Sequence, residues 1–146
     1  MARFLPDTSV IVAAVCAWHE HNAAAIAELE RRVTAGETMV VAGATLVEAY
    51  SVLTRLPAPY RLGASDAHSL ITRNFVSSSD VAVLDGAAYM ALLGRAAASG
   101  IVAGQIYDAL VAECARTAGV EALITFNERH FRRVLDQAVS LIVPTL

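Results

Sequence analysis

Three acidic side chains lie in otherwise apolar stretches of this chain, far from one another in sequence. Asp7 ends a short apolar segment, Glu48 lies among the almost wholly apolar residues 44–53, and Asp108 has apolar residues three and four positions later on its own helical face. An unpaired carboxylate in such surroundings costs several kcal/mol, or its pKa rises until the group is neutral. Three carboxylates brought together would repel one another strongly unless a cation held them.

The cation that suits such oxygen ligands is a hard divalent ion, Mg²⁺ or Mn²⁺, bound through a few carboxylates and several waters. Zinc is disfavoured, because neither of the cysteines nor any of the four histidines falls at zinc-ligand spacing. An ion of this kind lowers the pKa of a bound water and neutralises charge developing on a phosphate, so the predicted chemistry is phosphodiester hydrolysis. Thr8 and Ser9, directly after Asp7, can hydrogen-bond its carboxylate or a water on the ion.

Each acidic residue also has a purely structural interpretation, and the residues leave both open. Asp7 followed by Thr8 and Ser9 is typical of a helix N-terminus, where all three are capping residues. Glu48 can be a lone surface charge, and Asp108 can be an acid favoured by the helix dipole in a first turn. The case for chemistry therefore depends on the three acids meeting at one place in the fold.

Predicted strands and helices alternate along the whole chain. Strands are predicted for the segment that ends at Asp7 and for residues 38–42, 81–84, 122–124 and 139–143. Helices are predicted for residues 20–35, 44–55, 65–75, 85–99, 104–118 and 127–135. Ser65 and Asp85 are expected as N-caps, and Gly100 is expected to end the helix at 85–99. The apolar residues 10–15 are compatible with a helix or with a strand. This order indicates an α/β fold, with a parallel sheet of about five strands covered by helices on both faces.

The candidate site residues fall at one edge of this predicted sheet. Ligands gather at the carboxyl ends of parallel strands, where loops and helix starts open a crevice. Asp7 ends the first strand, Glu48 lies early in the helix after the second, Asp108 in the first turns of the helix before the fourth strand, and Asn127 just after that strand. We therefore expect these four side chains to share one crevice.

The composition bounds the class of protein. We expect one domain over residues 1–146, since this length is enough to bury a sizeable core. Hydrophobic residues make up 56% of the chain and the mean hydropathy is +0.52, which predicts an apolar surface for an oligomer or a partner. The net charge of −3 does not by itself indicate a nucleic-acid binder. Arginines around an acidic metal pocket could still bind a polyanion.

Two widely spaced cysteines, Cys16 and Cys114, favour a reduced, cytoplasmic protein. Residues 10–18 have about the length of the apolar region of a signal peptide, but Asp7 cancels the charge of Arg3 where such a peptide should be positive. No apolar run reaches the roughly 18 residues of a membrane span. His19 and His21 point about 200° apart on a helix and cannot share one metal, so we expect them at a solvated helix start.

Four segments of the chain resemble a PIN-domain ribonuclease, in particular the VapC-type toxin of a type II toxin–antitoxin system. These segments are LPDTSVI at residues 5–11, LVEAY at 46–50, GQIYDAL at 104–110 and LITFNERHF at 123–131. The order and spacing of the four segments together carry the resemblance. The resemblance extends over essentially the whole chain and implies a PIN-like three-layer sandwich.

The resemblance implies an endoribonuclease that depends on Mg²⁺ or Mn²⁺. Asp7, Glu48 and Asp108 would bind the metal and position the attacking water. The fourth acidic position of the family is matched by Asn127, whose amide can ligate or order a water but brings no charge, and Thr125 matches a supporting polar position.

The resemblance also implies partners. Members of the family form homodimers and are silenced by a small cognate antitoxin, here of VapB type, that wraps the toxin and blocks the acidic pocket. Arg129, Arg132 and Arg133, near the acidic edge, are candidates for contacts with RNA phosphates, although a short basic run is also typical of a solvated face.

Two other functions remain open at this stage. Asp7 could serve as the nucleophile of an aspartyl-phosphate phosphatase, but the usual companion acid two residues later is replaced by Ser9. A PIN-like module that binds RNA or a partner without cutting, or cuts only weakly, is also compatible with Asn127.

Overall fold

Five parallel strands form a central sheet in the computed structural model, which describes residues 2–146. The strand order is β3-β2-β1-β4-β5, and neighbouring strands pair in parallel throughout. The strands are β1 Arg3–Pro6, β2 Thr38–Ala42, β3 Asp80–Ala82, β4 Ala122–Ile124 and β5 Ser140–Ile142. The predicted α/β class and the parallel sheet of five strands are confirmed.

Helices connect the strands and cover the sheet. They are α1 Thr8–Val15, α2 Asn22–Thr34, α3 Gly43–Thr54, α4 Ala64–Ile71, α5 Gly86–Ser99, α6 Gln105–Thr117 and α7 Glu128–Arg132, with a π-helical turn over Thr72–Val76 after α4. The run that fitted a helix or a strand is the helix α1. Its start is fixed by Asp7, whose side chain accepts a hydrogen bond from the backbone N–H of Val10.

Most predicted helix ends lie within two residues of the observed ones. The predicted N-cap Ser65 lies inside α4, whose N-cap is Gly63. Two ends differ by more: the helix predicted for residues 65–75 is α-helical only to Ile71 and continues as the π-helical turn, and the helix predicted for residues 127–135 ends at Arg132. Asp85 and Gly100 bound α5 as predicted: Asp85 caps the N–H of Ala88, and Gly100 adopts a left-handed φ of 70°.

The core is split between the two faces of the sheet, as the two-residue repeat of a strand requires. In β1, Phe4 packs into a cluster with residues of α1, α2, α3 and α4, whereas Leu5 packs into a second cluster with residues of α6 and α7. Ile124 and Leu123 of β4 divide in the same way. The result is three layers, with helices on both faces of the sheet.

The position of β1 brings its carboxyl end beside that of β4. The strands are in register from Phe4 with Ala122 to Pro6 with Ile124, and the N–H of Asp7 continues the ladder to the carbonyl of Ile124 at 3.0 Å. Residues that follow β1 and β4 therefore meet, although more than a hundred positions separate them in sequence.

Both cysteines are buried as free thiols, Cys16 and Cys114. Burial raises the pKa of each thiol, for Cys114 to about 11, where the charge of Glu113 adds to the effect. Across residues 2–146, helices with the length and apolar character needed to cross a membrane are absent.

Candidate active site

Asp7 is held in one orientation by three hydrogen bonds to its carboxylate. Its Oδ1 accepts from the hydroxyl of Ser9 at 2.6 Å and from the backbone N–H of Val10 at 3.1 Å, and its Oδ2 accepts from the hydroxyl of Thr125. The residue is only 5% exposed. Burial raises the pKa of the Asp7 carboxyl, while the hydrogen bonds from Ser9, Thr125 and Val10 act in the opposite direction.

The two hydroxyls that hold Asp7 are themselves held by consecutive backbone N–H groups after β4. The N–H of Phe126 donates to the Ser9 hydroxyl at 3.0 Å, and the N–H of Asn127 donates to the Thr125 hydroxyl at 2.8 Å. Each hydroxyl has therefore accepted one hydrogen bond and turns its own hydrogen towards the carboxylate. We call this arrangement, made of Asp7, Ser9, Thr125 and the two N–H groups, the Asp7 clamp.

Asp7 has both the structural role of a helix cap and a position suited to the chemical role. Its Oδ1 does cap α1, yet the residue also lines a cavity. Thr8 lines the same cavity, whereas the hydroxyl contacts to the carboxylate come from Ser9 and Thr125.

Glu48 and Asp108 line the cavity together with Asp7, and Asn127 lines it as well. Its volume is about 530 Å³. Asp108 is partly buried, with 25% of its side chain exposed, whereas Glu48 is exposed and less enclosed than its apolar sequence neighbours predicted. The structure thus places all four predicted residues around one space.

The electrostatics of Asp108 indicate an acidic site. Burial raises the pKa of Asp108, the nearby His130 lowers it, and the negative charge of Glu48 raises it again. The Nδ1 atom of His130 lies 4.0 Å from Oδ2 of Asp108. The charge of Glu48 therefore reaches Asp108 across the cavity, which is the repulsion that the sequence predicted.

The donors around the cavity suit a hard divalent cation. Asp7, Glu48, Asp108 and Asn127 offer oxygen atoms only, and Mg²⁺ takes one or two carboxylates and completes its shell with water. Over the described residues 2–146, groups of three His, Cys, Asp or Glu side chains close enough to form a complete ligand set by themselves are absent. Mg²⁺ is usually bound through one or two carboxylates and keeps several waters, so a complete set of protein ligands is not required for it to bind here.

Several residues of the cavity wall were missed by sequence reasoning. His19 and His21, expected at a solvated helix start, line the cavity with Phe126, Tyr107 and His130. A signal existed for His130, which lies three residues after Asn127 and so on the same helical side. The sequence offered no such signal for His21, because its partner Phe126 comes from the other end of the chain.

The three predicted arginines lie in different places. Arg129 lines a groove that adjoins the cavity and shares Glu48 and Asp108 with it, and Arg55, which the sequence analysis did not single out, lines the same groove. Arg132 pairs with Glu128 at 3.2 Å. Arg133 donates to the carbonyl of Ser99 at 2.8 Å and lines a separate cavity, so its guanidinium is used within the fold.

Comparisons with known sequences identify one family. The family model described as "PIN domain" matches residues 4–136. Ribonuclease VapC40 of Mycobacterium tuberculosis is 40% identical over 118 residues, which are 81% of this chain and 82% of that protein.

Two solved structures share the fold. The crystal structure of VapBC2 from Rickettsia felis, bound to a DNA fragment from its promoter, superposes with a TM-score of 0.69 at 18% identity and covers 98% of this chain and 99% of that one. Mycobacterium tuberculosis VapC20, described as a sarcin–ricin loop cleaving toxin, has a TM-score of 0.68 at 15% identity and covers 92% of this chain and 97% of its own. At these identities the structures support the fold.

Proposed function

Because this chain belongs to the PIN-domain family, as a VapC-type ribonuclease toxin of a toxin–antitoxin system, we propose that it hydrolyses RNA phosphodiester bonds at the cavity formed by Asp7, Glu48 and Asp108. The observation that carries the site assignment is the Asp7 clamp. Its two hydroxyls and two N–H groups hold a buried carboxylate at the wall of a cavity that two more acids share.

The proposed cofactor is Mg²⁺ or Mn²⁺, held by Asp7, Glu48 and Asp108, with the amide oxygen of Asn127 as a neutral neighbour. When bound, a divalent ion lowers the pKa of water and offsets the charge that develops on the phosphate. The Asp7 clamp holds the Asp7 carboxylate in one orientation, with both oxygens accepting hydrogen bonds. The carboxylate therefore does not need to reorient during the reaction.

In the proposed reaction, a water oxygen attacks the phosphorus and one P–O ester bond breaks. The proton that water loses leaves through the carboxylates or solvent, and the departing oxygen is protonated to a hydroxyl. Glu48, the exposed acid of the site, has the solvent access that proton removal requires. Arg129 and Arg55, in the adjoining groove, are placed to contact RNA phosphates on either side. Arg132, on the exposed surface of α7, remains a weaker candidate for such a contact.

Metal removal tests this proposal directly. We expect purified protein to cut total RNA with Mg²⁺ or Mn²⁺ and to lose the cuts in EDTA, because without a cation the acidic cavity repels phosphates. Adding back excess Mg²⁺ should restore the same pattern of fragments, whereas adding buffer without a divalent ion should not. Cutting that continues undiminished in EDTA after dialysis against chelator would contradict the assignment.

The proposal includes a homodimer through the outer face of α5, defined by Tyr89, Met90 and Leu93. This helix of 14 residues carries Arg95 as its one charged side chain. Met90 and Leu93 are 69% and 54% exposed, which is unusual for such large apolar side chains side by side on a helix. A second copy of this chain would cover them.

The dimer can be measured by light scattering. We expect wild-type protein to have the mass of two chains and Met90→Glu to have the mass of one, because the substitution buries a charge in the interface. Val33→Glu is the matched control. Val33 is 54% exposed, the same as Leu93, but it lies on α2 and not on α5. A monomeric mass for the wild type would refute the dimer.

The second proposed partner is a VapB-type antitoxin, the other component of the toxin–antitoxin system. The support is the shape and charge of the site. The acidic cavity and the adjoining groove, which carries both acids and arginines, lie beside exposed apolar side chains, Val47 and Tyr107, which are 72% and 64% exposed. The proposed location is the cytoplasm, in agreement with two buried free thiols.

A further inference from the structure

A row of five rings extends from the acidic cavity across the protein surface. Phe126 and His21 are stacked, with ring centroids 4.4 Å apart and planes at 15°. His21 lies 5.7 Å from His19, and His19 lies 5.7 Å from Trp18. Trp18 in turn stacks on Tyr60 at 4.3 Å. We call Phe126, His21, His19, Trp18 and Tyr60 the ring row.

The ring row is a product of the tertiary structure. Its histidines and Trp18 come from the loop between α1 and α2, but Tyr60 comes from the loop between α3 and α4, and Phe126 from the segment after β4. Both stacked pairs, Trp18 with Tyr60 and His21 with Phe126, therefore join loops that are distant in the chain.

The outer end of the ring row faces solvent. Trp18 is 46% exposed and Tyr60 is 44% exposed, whereas Phe126 at the inner end is half-buried and packs against the core. At its other end the row enters the site: Phe126, His21 and His19 line the cavity with Asp7, Glu48 and Asp108. Exposed, stacked rings are thus continuous with the place where the phosphate would be cut.

Unpaired nucleic-acid bases are the ligands that such a surface fits. Every base has a flat face that stacks on an aromatic side chain, and unpaired RNA bases are recognised in this way in loops, bulges and ends. Stacking would add to the phosphate contacts proposed for Arg55 and Arg129. The chain has a net charge of −3 and an acidic site, so long-range attraction to phosphates contributes little beyond those contacts.

We propose that the ring row, with Trp18 and Tyr60 at its outer end, is a base-binding subsite on which unpaired bases beside the scissile phosphate stack. The inference rests on the proposed ribonuclease function and extends it to the residues that hold the bases. Bases next to the phosphate would contact Phe126 and His21 at the cavity, and bases farther along would reach Trp18 and Tyr60.

The single tryptophan of the chain gives a direct test. In Asp7→Asn protein with Mg²⁺, where RNA should stay intact, we expect an unstructured RNA oligonucleotide to quench Trp18 fluorescence saturably. The same sequence annealed into a duplex should quench weakly. Adding Tyr60→Ala should weaken binding of the single strand by about 5- to 150-fold, the equivalent of about 1–3 kcal/mol per stacked base.

Tyr50→Ala is the matched control, because the exposed fraction of Tyr50, 39%, is similar to the 44% of Tyr60, yet Tyr50 is not a member of the ring row. It should leave the affinity unchanged. In otherwise wild-type protein, Trp18→Ala should raise KM for a loop substrate more than it lowers kcat, and Trp18→Phe should restore KM.

Three results would overturn the platform: no quenching by single strands, equal binding of the duplex, or an affinity unaffected by Tyr60→Ala. The first result would indicate that the ring row binds a protein partner and not RNA. Each of these results is distinguishable from failure of the proposed function, since metal-dependent cutting by the wild type would persist. Loss of metal-dependent cutting would instead refute the ribonuclease site itself.

Discussion

Asp7→Asn protein is expected to lose RNA cleavage by more than about a hundredfold. The substitution removes the charge of the most buried carboxylate at the proposed metal site, and metal stabilisation of the transition state is worth several kcal/mol at 1.36 kcal/mol per factor of ten. The measurement is the initial rate on total RNA at saturating Mg²⁺. In cells, expression of the wild type should arrest growth, and the variant should not.

The fold should survive Asp7→Asn, which makes the experiment interpretable. Asn is as good an N-cap as Asp, and its side-chain oxygen can still accept from the N–H of Val10. A circular dichroism spectrum and a thermal melt close to those of the wild type are the control. Co-expression of the VapB-type antitoxin should restore growth to cells that make the wild type. Equal cutting by the folded variant would remove Asp7 from the mechanism.

Thr125→Val should reduce both activity and stability. Val has nearly the same shape, but it leaves the Asp7 Oδ2 atom without its donor and the Asn127 N–H without its acceptor. We expect kcat/KM to fall about 10- to 100-fold, as for other residues that orient a metal ligand. The free energy of unfolding should fall by about 1–3 kcal/mol, the cost of a buried polar group left unsatisfied. Urea denaturation and the cleavage assay measure the two effects.

Thr45→Val is the control for Thr125→Val. Thr45 is also a buried threonine, 1% exposed, but its hydroxyl makes no hydrogen bond with the described residues 2–146. The same substitution there should leave stability unchanged or increase it, and should leave cleavage intact. Thr125→Ser, which keeps the hydroxyl, should recover most of the activity. If Thr125→Val cut RNA as fast as the wild type, Thr125 would have no positioning role.

The sequence predicted the layout of the site because that layout depends on element order. Hydrophobic periodicity separates strands from helices, and strand–helix alternation requires a parallel sheet. Once the sheet is parallel, residues after β1 and β4 and at the starts of neighbouring helices must lie at one edge. For this reason Asp7, Glu48, Asp108 and Asn127 were expected together, and they line one cavity.

Local signals also predicted single helix ends. Asp85 and Gly100 were expected to bound α5, and they do, because a cap depends on the backbone within three or four residues. Periodicity could not separate helix from strand for residues 10–15, since they are all apolar. The capping signal of Asp7 favoured a helix, and the hydrogen bond from the N–H of Val10 to Asp7 is in agreement with it.

What the sequence by itself determined is the class of fold, the edge of the sheet that carries the acids, and the acids themselves. Only the tertiary structure decided how Asp7 is held, since the hydroxyl of Thr125 reaches it through the register of β1 with β4. It also decided which loops face each other, and so placed His21 on Phe126. The physical reason is range: propensity, periodicity and capping act over a few residues, whereas a contact between distant segments is fixed only when the sheet has its order and register.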